Sequence, residues 1–97
     1  MIIEILHVSG CPNVDLLDQR LVEALAGRPA VVTHTLVSDL DTATTVGMTG
    51  SPTLLLDGAD PFTRDGVQPS MSCRLYGHEN GHVDGAPSVD DLRRVLG

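Results

Sequence analysis

The order of predicted elements assigns this 97-residue chain to the α/β class, as a three-layer α/β/α sandwich built on a mixed four-stranded sheet. Short, β-branched, apolar runs alternate with segments whose apolar residues recur every three or four positions, which is typical of strands alternating with amphipathic helices. The predicted order is β-α-β-α-β-β-α. The length fits a single domain over residues 1–97, and an apolar share of 41% is enough for one core.

The first strand and the first helix meet at a short polar segment. Residues 2–8 are apolar and partly β-branched and stop before Gly10, which predicts a buried strand. Residues 14–26 place apolar side chains at helical spacing, and Gly27 follows as a stop signal, so a helix is predicted there. The turn between the two elements is where a strand ends and a helix begins.

A second strand, a short helix and a third strand follow. Residues 30–37 alternate in polarity and are β-branched, which predicts a strand. A helix is predicted from a cap at Ser38 or Asp39 through residue 46, where Gly47 ends it. The run of residues 53–56 is short and mostly leucine, which predicts a buried third strand.

The last third of the chain is predicted as a loop, a hairpin and a helix. Residues 59–72 contain prolines, glycine and charges and predict a long loop. Residues 73–78 and 82–83 flank an Asn-Gly turn signal and predict a hairpin at one edge of the sheet. Ser88 caps an amphipathic final helix. Alternating strands and helices predict parallel pairing through right-handed crossovers, and the hairpin adds an antiparallel edge.

Charge and composition disfavour several classes of partner. The formal charge of −7 argues against binding nucleic acid or an anionic membrane. No apolar run approaches the roughly 20 residues that span a bilayer, and the N-terminus lacks a basic region, so a cytoplasmic protein is expected. Every basic residue is arginine, which indicates a GC-rich bacterial genome. Neither a P-loop nor a dinucleotide fingerprint is present, so no cofactor is predicted.

Cys11 is the strongest candidate for chemistry. It lies where the first strand ends and the first helix begins, and the free N–H groups of a helix N-terminus favour a thiolate. A C-x-x-C motif would place a second cysteine at position 14, which is Val14. The only other cysteine is Cys73. The activity therefore depends on whether these two thiols meet.

Cys11-Pro12 at the first helix and Ser51-Pro52-Thr53 before the third strand resemble the corresponding motifs of the thioredoxin-like fold. The resemblance covers nearly the whole chain. It implies a cis peptide bond between Ser51 and Pro52, and a loop that lies against the active cysteine and offers backbone groups to an extended substrate. It also implies thiol-based redox chemistry, with a disulfide or a low-molecular-weight thiol as partner.

With Val14 in place of a second motif cysteine, a mixed disulfide on Cys11 would be released by Cys73 or by an external thiol such as glutathione or mycothiol. A competing interpretation is a non-catalytic thioredoxin-like module that keeps the fold for binding a partner protein. Both interpretations stay open at the level of the sequence, and so does the question of whether the protein is an enzyme.

A second resemblance points to soft-metal chemistry. Residues 50–62 and 72–76 are similar to small bacterial proteins labelled alkylmercury lyase-like. The organomercurial lyases grip mercury with two cysteines and move a proton with an aspartate. That resemblance implies Cys11 and Cys73 as the thiolates and Asp15, one helical turn after Cys11, as the acid.

A zinc site is a further possibility that the sequence raises. Cys73, His78 and His82 have ligand chemistry, and Cys11 would complete a tetrahedron. The two histidines, however, flank the Asn-Gly turn, where polar side chains are expected on any hairpin tip. No metal site is therefore predicted.

Overall fold

The computed structural model describes residues 1–63 and 65–97; residue 64, within the predicted loop of residues 59–72, lies outside the described residues. Within these ranges the chain forms three helices and seven short strands. The helices are α1 (Asn13–Leu25), α2 (Leu40–Val46) and α3 (Val89–Leu96). The strands are β1 (Ile2–His7), β2 (Val31–Leu36), β3 (Thr49–Ser51), β4 (Thr53–Leu56), β5 (Ser70–Cys73), β6 (Tyr76–Gly77) and β7 (Val83–Asp84).

In the part of the chain that the structure describes, the main sheet has three strands in the order β2-β1-β4. β2 is parallel to β1, with Ile2 opposite Val31. β4 is antiparallel to β1 and starts with Thr53 opposite Leu6. The sheet is mixed, as predicted, but the prediction that the third strand runs parallel to the first two is wrong.

The length of α2 explains this reversal. A helix of seven residues spans about 10 Å, whereas a six-residue strand spans about 20 Å, so α2 does not carry the chain back to the start of the sheet. The chain therefore enters β4 at the end of the sheet where β1 finishes, and it can only run antiparallel.

Helices cover both faces of the main sheet, which confirms the predicted layers. On one face α1 and α3 enclose a buried cluster that includes Ile5 and Leu54. On the other face Ala43 of α2 packs with Leu6 and Leu55. Aliphatic side chains dominate both clusters, as expected for a chain with one phenylalanine, one tyrosine and no tryptophan.

The helix boundaries follow the local signals in the sequence. The Asp39 carboxylate accepts a hydrogen bond from the N–H of Thr42 at 2.7 Å, and Gly47 ends α2 at a φ of +82°. The Ser88 hydroxyl caps α3 by accepting from the N–H of Asp91 at 3.0 Å. α1 ends one residue earlier than predicted, because Ala26 itself adopts the left-handed conformation.

The predicted four-stranded sheet is not formed among residues 1–63 and 65–97. Cys73 ends β5 instead of opening a hairpin strand, and β5 lies parallel to β3 in a separate two-stranded sheet. β6 and β7 pair antiparallel around the Asn80-Gly81 turn, as predicted, but do not join the main sheet. Two residues per strand provide too short a ladder to extend a sheet edge.

A bidentate ion pair fastens this hairpin to α1. The guanidinium of Arg20 donates to both carboxylate oxygens of Asp84, at 3.0 and 2.7 Å, and also to the carbonyl of Ala86 at 3.0 Å. The hydrogen bond from Arg20 lowers the pKa of Asp84 well below its ordinary value, and nearby His78 acts in the same direction. The folded state therefore favours the ionised carboxylate.

Stability is expected to fall in acid partly through Asp84. Because its pKa is lower in the folded than in the unfolded chain, its contribution is complete above the unfolded value of about 3.9 and is lost as the pH falls below that value. Asp84→Asn should flatten the decline in melting temperature below about pH 4. Asp90→Asn, which removes an exposed carboxylate on α3, is the control that should leave the decline in place.

Among the described residues, no helix is both long enough and apolar enough to cross a membrane.

Candidate functional site

Cys11 lies in a tight turn between β1 and α1. Its N–H donates to the carbonyl of Val8 at 3.4 Å, and Gly10 takes a φ of +73°, which favours glycine. Pro12 occupies the cap position with helical backbone angles, and α1 begins at the next residue. Cys11 is half-buried and its thiol is free. The turn thus places a thiol immediately before the first helical turn, as the sequence predicted.

The Ser51-Pro52 peptide bond is cis, which confirms the expectation drawn from the resemblance. Ser51, Pro52 and Thr53 are all buried. The Ser51 hydroxyl accepts a hydrogen bond from the N–H of Val8 at 3.1 Å. The proline loop is therefore attached to the same turn that carries Cys11.

The loop is also braced from within. The Thr53 hydroxyl donates to the carbonyl of Gly50 at 2.6 Å and accepts from the N–H of Thr49 at 3.2 Å. One buried threonine, just after the proline, thus bonds to two residues that precede it. These bonds fix the position of β3 relative to β4.

Cys73 reaches the loop through the pairing of two strands. It is the register partner of Ser51 in the parallel pairing of β5 with β3. The next residue, Arg74, donates its N–H to the carbonyl of Ser51 at 3.1 Å. Cys73 is exposed, and its thiol is free.

Each cysteine is linked to Ser51 of the proline loop by a different route: Cys73 through strand pairing, and Cys11 through Val8. Paired strands lie about 4.8 Å apart, so the backbone of Cys73 is one strand spacing from Ser51. Cys11 is one turn of chain from Val8, which the Ser51 side chain contacts. Cys73 is thus paired with Ser51 directly, whereas Cys11 is linked to Ser51 through Val8.

Arg74, which was not among the predicted site residues, organises the outer side of this loop. Its guanidinium donates to the carboxylate of Asp60 at 2.6 Å, to the Thr49 hydroxyl at 3.0 Å and to the carbonyl of Phe62 at 2.9 Å. It also lies 4.6 Å from the ring centroid of Tyr76, a cation–π distance. No spacing signal connects these residues, since the partners are brought together by the β3–β5 pairing.

Tyr76 binds the loop directly. Its hydroxyl donates to the carbonyl of Pro52 at 2.6 Å, and its ring packs edge-on against Phe62. Burial raises the pKa of Tyr76 well above its ordinary value, so the hydroxyl stays a donor across the physiological range. An open hollow of about 300 Å³ beside these residues is lined by Thr49, Phe62, Val67, Arg74, Leu75, Tyr76 and Gly77.

Two further residues implied by resemblance lie on the surface. Asp15 is exposed in the first turn of α1, and Pro12 is exposed at the start of that helix. Neither side chain takes part in the hydrogen bonds that hold the loop. The buried residues Ser51 and Thr53, by contrast, use their hydroxyl groups inside the chain.

The histidines considered for zinc bind Asp84 instead. His78 lies 3.2 Å and His82 lies 3.4 Å from its carboxylate oxygens, and His78 also contacts the carbonyl of Ala86. Over residues 1–63 and 65–97, no three histidine, cysteine or carboxylate side chains are grouped so that they could hold a metal ion.

Comparisons with protein-family models, with curated proteins and with solved structures find no match for this chain.

Proposed function

We propose that this protein is a thioredoxin-like, thiol-based redox protein in which Cys11 reacts first and Cys73 is its internal partner. The observation that carries the proposal is the register of β5, which places Cys73 opposite Ser51, the residue whose hydroxyl bonds the turn of Cys11. The parallel β1–β2 pair and the attachment of the proline loop to the turn of Cys11 support the thioredoxin-like assignment.

The two protein thiols are sufficient to reduce one small disulfide. The Cys11 thiolate attacks one sulfur of a small disulfide, forms a mixed disulfide and releases the other half as a thiolate. The Cys73 thiolate then attacks the Cys11 sulfur, forms the Cys11–Cys73 disulfide and releases the second half. The substrate gains two electrons and the protein loses two. An external low-molecular-weight thiol reverses these steps and restores both protein thiols.

The state of the loop favours a small partner over an extended peptide. The carbonyls of Ser51 and Pro52, which the resemblance assigns to substrate binding, already accept from the Arg74 backbone and the Tyr76 hydroxyl. A peptide would have to displace β5 to reach them. A compact disulfide such as that of glutathione needs access only to the sulfur of Cys11, which is half-buried and free.

Mass spectrometry after alkylation tests this assignment. Wild-type protein treated with glutathione disulfide is expected to lose both free thiols and gain no lasting adduct, because Cys73 closes the internal bridge. Cys73→Ser is expected to accumulate a stable glutathione adduct on Cys11. Cys11→Ser is the matched variant, and its exposed Cys73 should react more slowly than Cys11 does. An equally persistent adduct in wild type and Cys73→Ser would exclude Cys73 as the internal partner.

The rate of the first step separates catalysis from mere binding. If Cys11 reacts with glutathione disulfide no faster than the thiols of the urea-unfolded chain, the non-catalytic interaction module is the better description.

A further inference from the structure

β2 forms an unprotected edge of the main sheet. Among residues 1–63 and 65–97 it is bonded to β1 on one side only, and five of its six residues are exposed. The exposed fractions are 60% for Val31, 36% for Val32 and 54% for Leu36. Apolar side chains on an open edge strand are a site for pairing with another strand.

The direction of the free backbone groups follows from the hydrogen bonds to β1. The N–H of Val31 donates to the carbonyl of Met1, and the N–H of Val37 donates to the carbonyl of His7. Because these directions alternate along a strand, the intervening odd-numbered residues also face β1. The N–H and C=O groups of Val32, His34 and Leu36 therefore face outward.

The strand lacks the devices that usually prevent edge pairing. Residues 31–36 contain no lysine, proline or carboxylate, although the chain has 13 acidic residues and a net charge of −7. Natural edges are commonly protected by charges, prolines or bulges. The strand itself therefore places no carboxylate or ammonium group of one copy against the other.

We propose that β2 is a homodimer interface, pairing antiparallel with β2 of a second copy about a two-fold axis at His34. In that register Val32 lies opposite Leu36 of the second copy, and His34 lies opposite His34 of the second copy. Every outward-facing residue then forms a hydrogen-bonded pair, giving about six hydrogen bonds and one continuous six-stranded sheet. Centring on Thr33 would give only about four such bonds.

The side chains fit the same register. Val32 and Leu36 lie on one face of the sheet, so pairing places an apolar residue opposite an apolar residue at both ends. His34 contacts the carboxylate of Asp18 on α1 at 2.9 Å, which sets two carboxylates beside two imidazoles near the axis. Val22, one helical turn after Asp18 and 71% exposed, adds apolar surface to the same side.

The pairing of side chains favours a second copy as the occupant. About a two-fold axis at His34, an identical strand brings Leu36 opposite Val32 at both ends of the contact and pairs every outward-facing backbone group. The contact is smaller than a standard interface of about 1,200–2,000 Å², so the expected dimer dissociates in the micromolar range.

Sedimentation velocity of the reduced protein from low micromolar to millimolar concentration tests the interface. Wild type is expected to convert from monomer to dimer over this range. Leu36→Lys should weaken the dimer at least about tenfold, because it places an ammonium group against Val32 of the second copy. Val83→Lys, which charges an exposed residue on β7 outside the main sheet, should leave the dimer unchanged. Circular dichroism confirms that each variant is folded.

Cross-linking tests the register. In a Cys11→Ser/Cys73→Ser background, His34→Cys brings two thiols to a hydrogen-bonded pair with Cα atoms about 5.5 Å apart, within disulfide range. Thr33→Cys leaves the corresponding Cα atoms about 8 Å apart, beyond that range. Oxidation should dimerise the first variant and not the second. A protein that is monomeric throughout, or a dimer insensitive to Leu36→Lys, overturns the interface, and efficient cross-linking of Thr33→Cys overturns its register.

Discussion

Arg74→Met is expected to lower the free energy of unfolding by roughly 3–5 kcal/mol. The Arg74 and Asp60 side chains are 11% and 8% exposed, so water does not replace the lost partner. Removing the guanidinium leaves a buried carboxylate without its cationic partner, bonded only by the N–H of Phe62, and also leaves the Phe62 carbonyl without the Arg74 donor. Urea unfolding followed by far-ultraviolet circular dichroism measures the loss.

Two further variants give this prediction its controls. Arg93→Met removes an arginine that is 53% exposed and lies 3.6 Å from Asp90, so it should cost less than about 1 kcal/mol. In the double variant Arg74→Met/Asp60→Asn the orphaned charge is gone, and the loss should be smaller than the sum of the two single losses. Strict additivity would show that the two side chains do not stabilise the fold as a pair.

The single tyrosine gives a second readout. The chain has no tryptophan, so its intrinsic fluorescence comes from Tyr76, whose ring lies under the Arg74 guanidinium. Arg74→Met should change the emission of the native state, whereas Arg93→Met should not. A change in the native emission would show that the loss of Arg74 alters the surroundings of Tyr76, which contacts the proline loop.

The parts of the fold that sequence reasoning predicted well are those with local causes. The cap at Asp39 and the stop at Gly47 lie within one turn of the groups that they bond, so the bounds of α2 can be read from neighbouring residues. The same holds for Ser88 and α3. The strands β1, β2 and β4 could also be predicted, because each is a short run of apolar or alternating residues.

The parts that were wrong or missed depend on non-local pairing. The antiparallel direction of β4 follows from the length of α2 relative to the sheet, not from any residue in β4. The β3–β5 pairing joins strands about 20 residues apart, and residues 70–73 carry little strand signal of their own. Strand partners are chosen by the packing of the whole chain.

In the candidate site, too, the residues with local sequence signals were predicted and those that depend on non-local pairing were not. Cys11 and the proline loop could be identified from local motifs and a resemblance, and the structure places them together through one hydrogen bond from Val8 to Ser51. The position of Cys73 depends on the register of β5, which the sequence does not encode locally. Arg74 was missed for the same reason, since its partners at Thr49 and Asp60 are adjacent only after β5 has paired.

Gly50→Ala is expected to destabilise the protein through two separate effects. Gly50 has a φ of +140°, which costs a residue with a side chain about 1–3 kcal/mol. A methyl group at this position would also lie 2.7 Å from Cβ and 3.3 Å from Cα of Arg74. Relieving that overlap requires the backbone after β5 to move, at an overpacking cost of about 1–3 kcal/mol. Urea unfolding of the purified variant measures the sum.

Gly47→Ala separates the two effects. Gly47 also has positive φ, at +82°, but apart from its chain neighbours and its own helix backbone no atom of the described residues lies within 4 Å of the position of an added methyl group. It should therefore show only the backbone cost, about 1–2 kcal/mol. The excess loss in Gly50→Ala then measures how firmly Arg74, and with it the neighbouring Cys73, is held against β3. Equal losses in the two variants would mean that β5 moves away at no cost, and the approach of Cys73 to Ser51 would then need another cause.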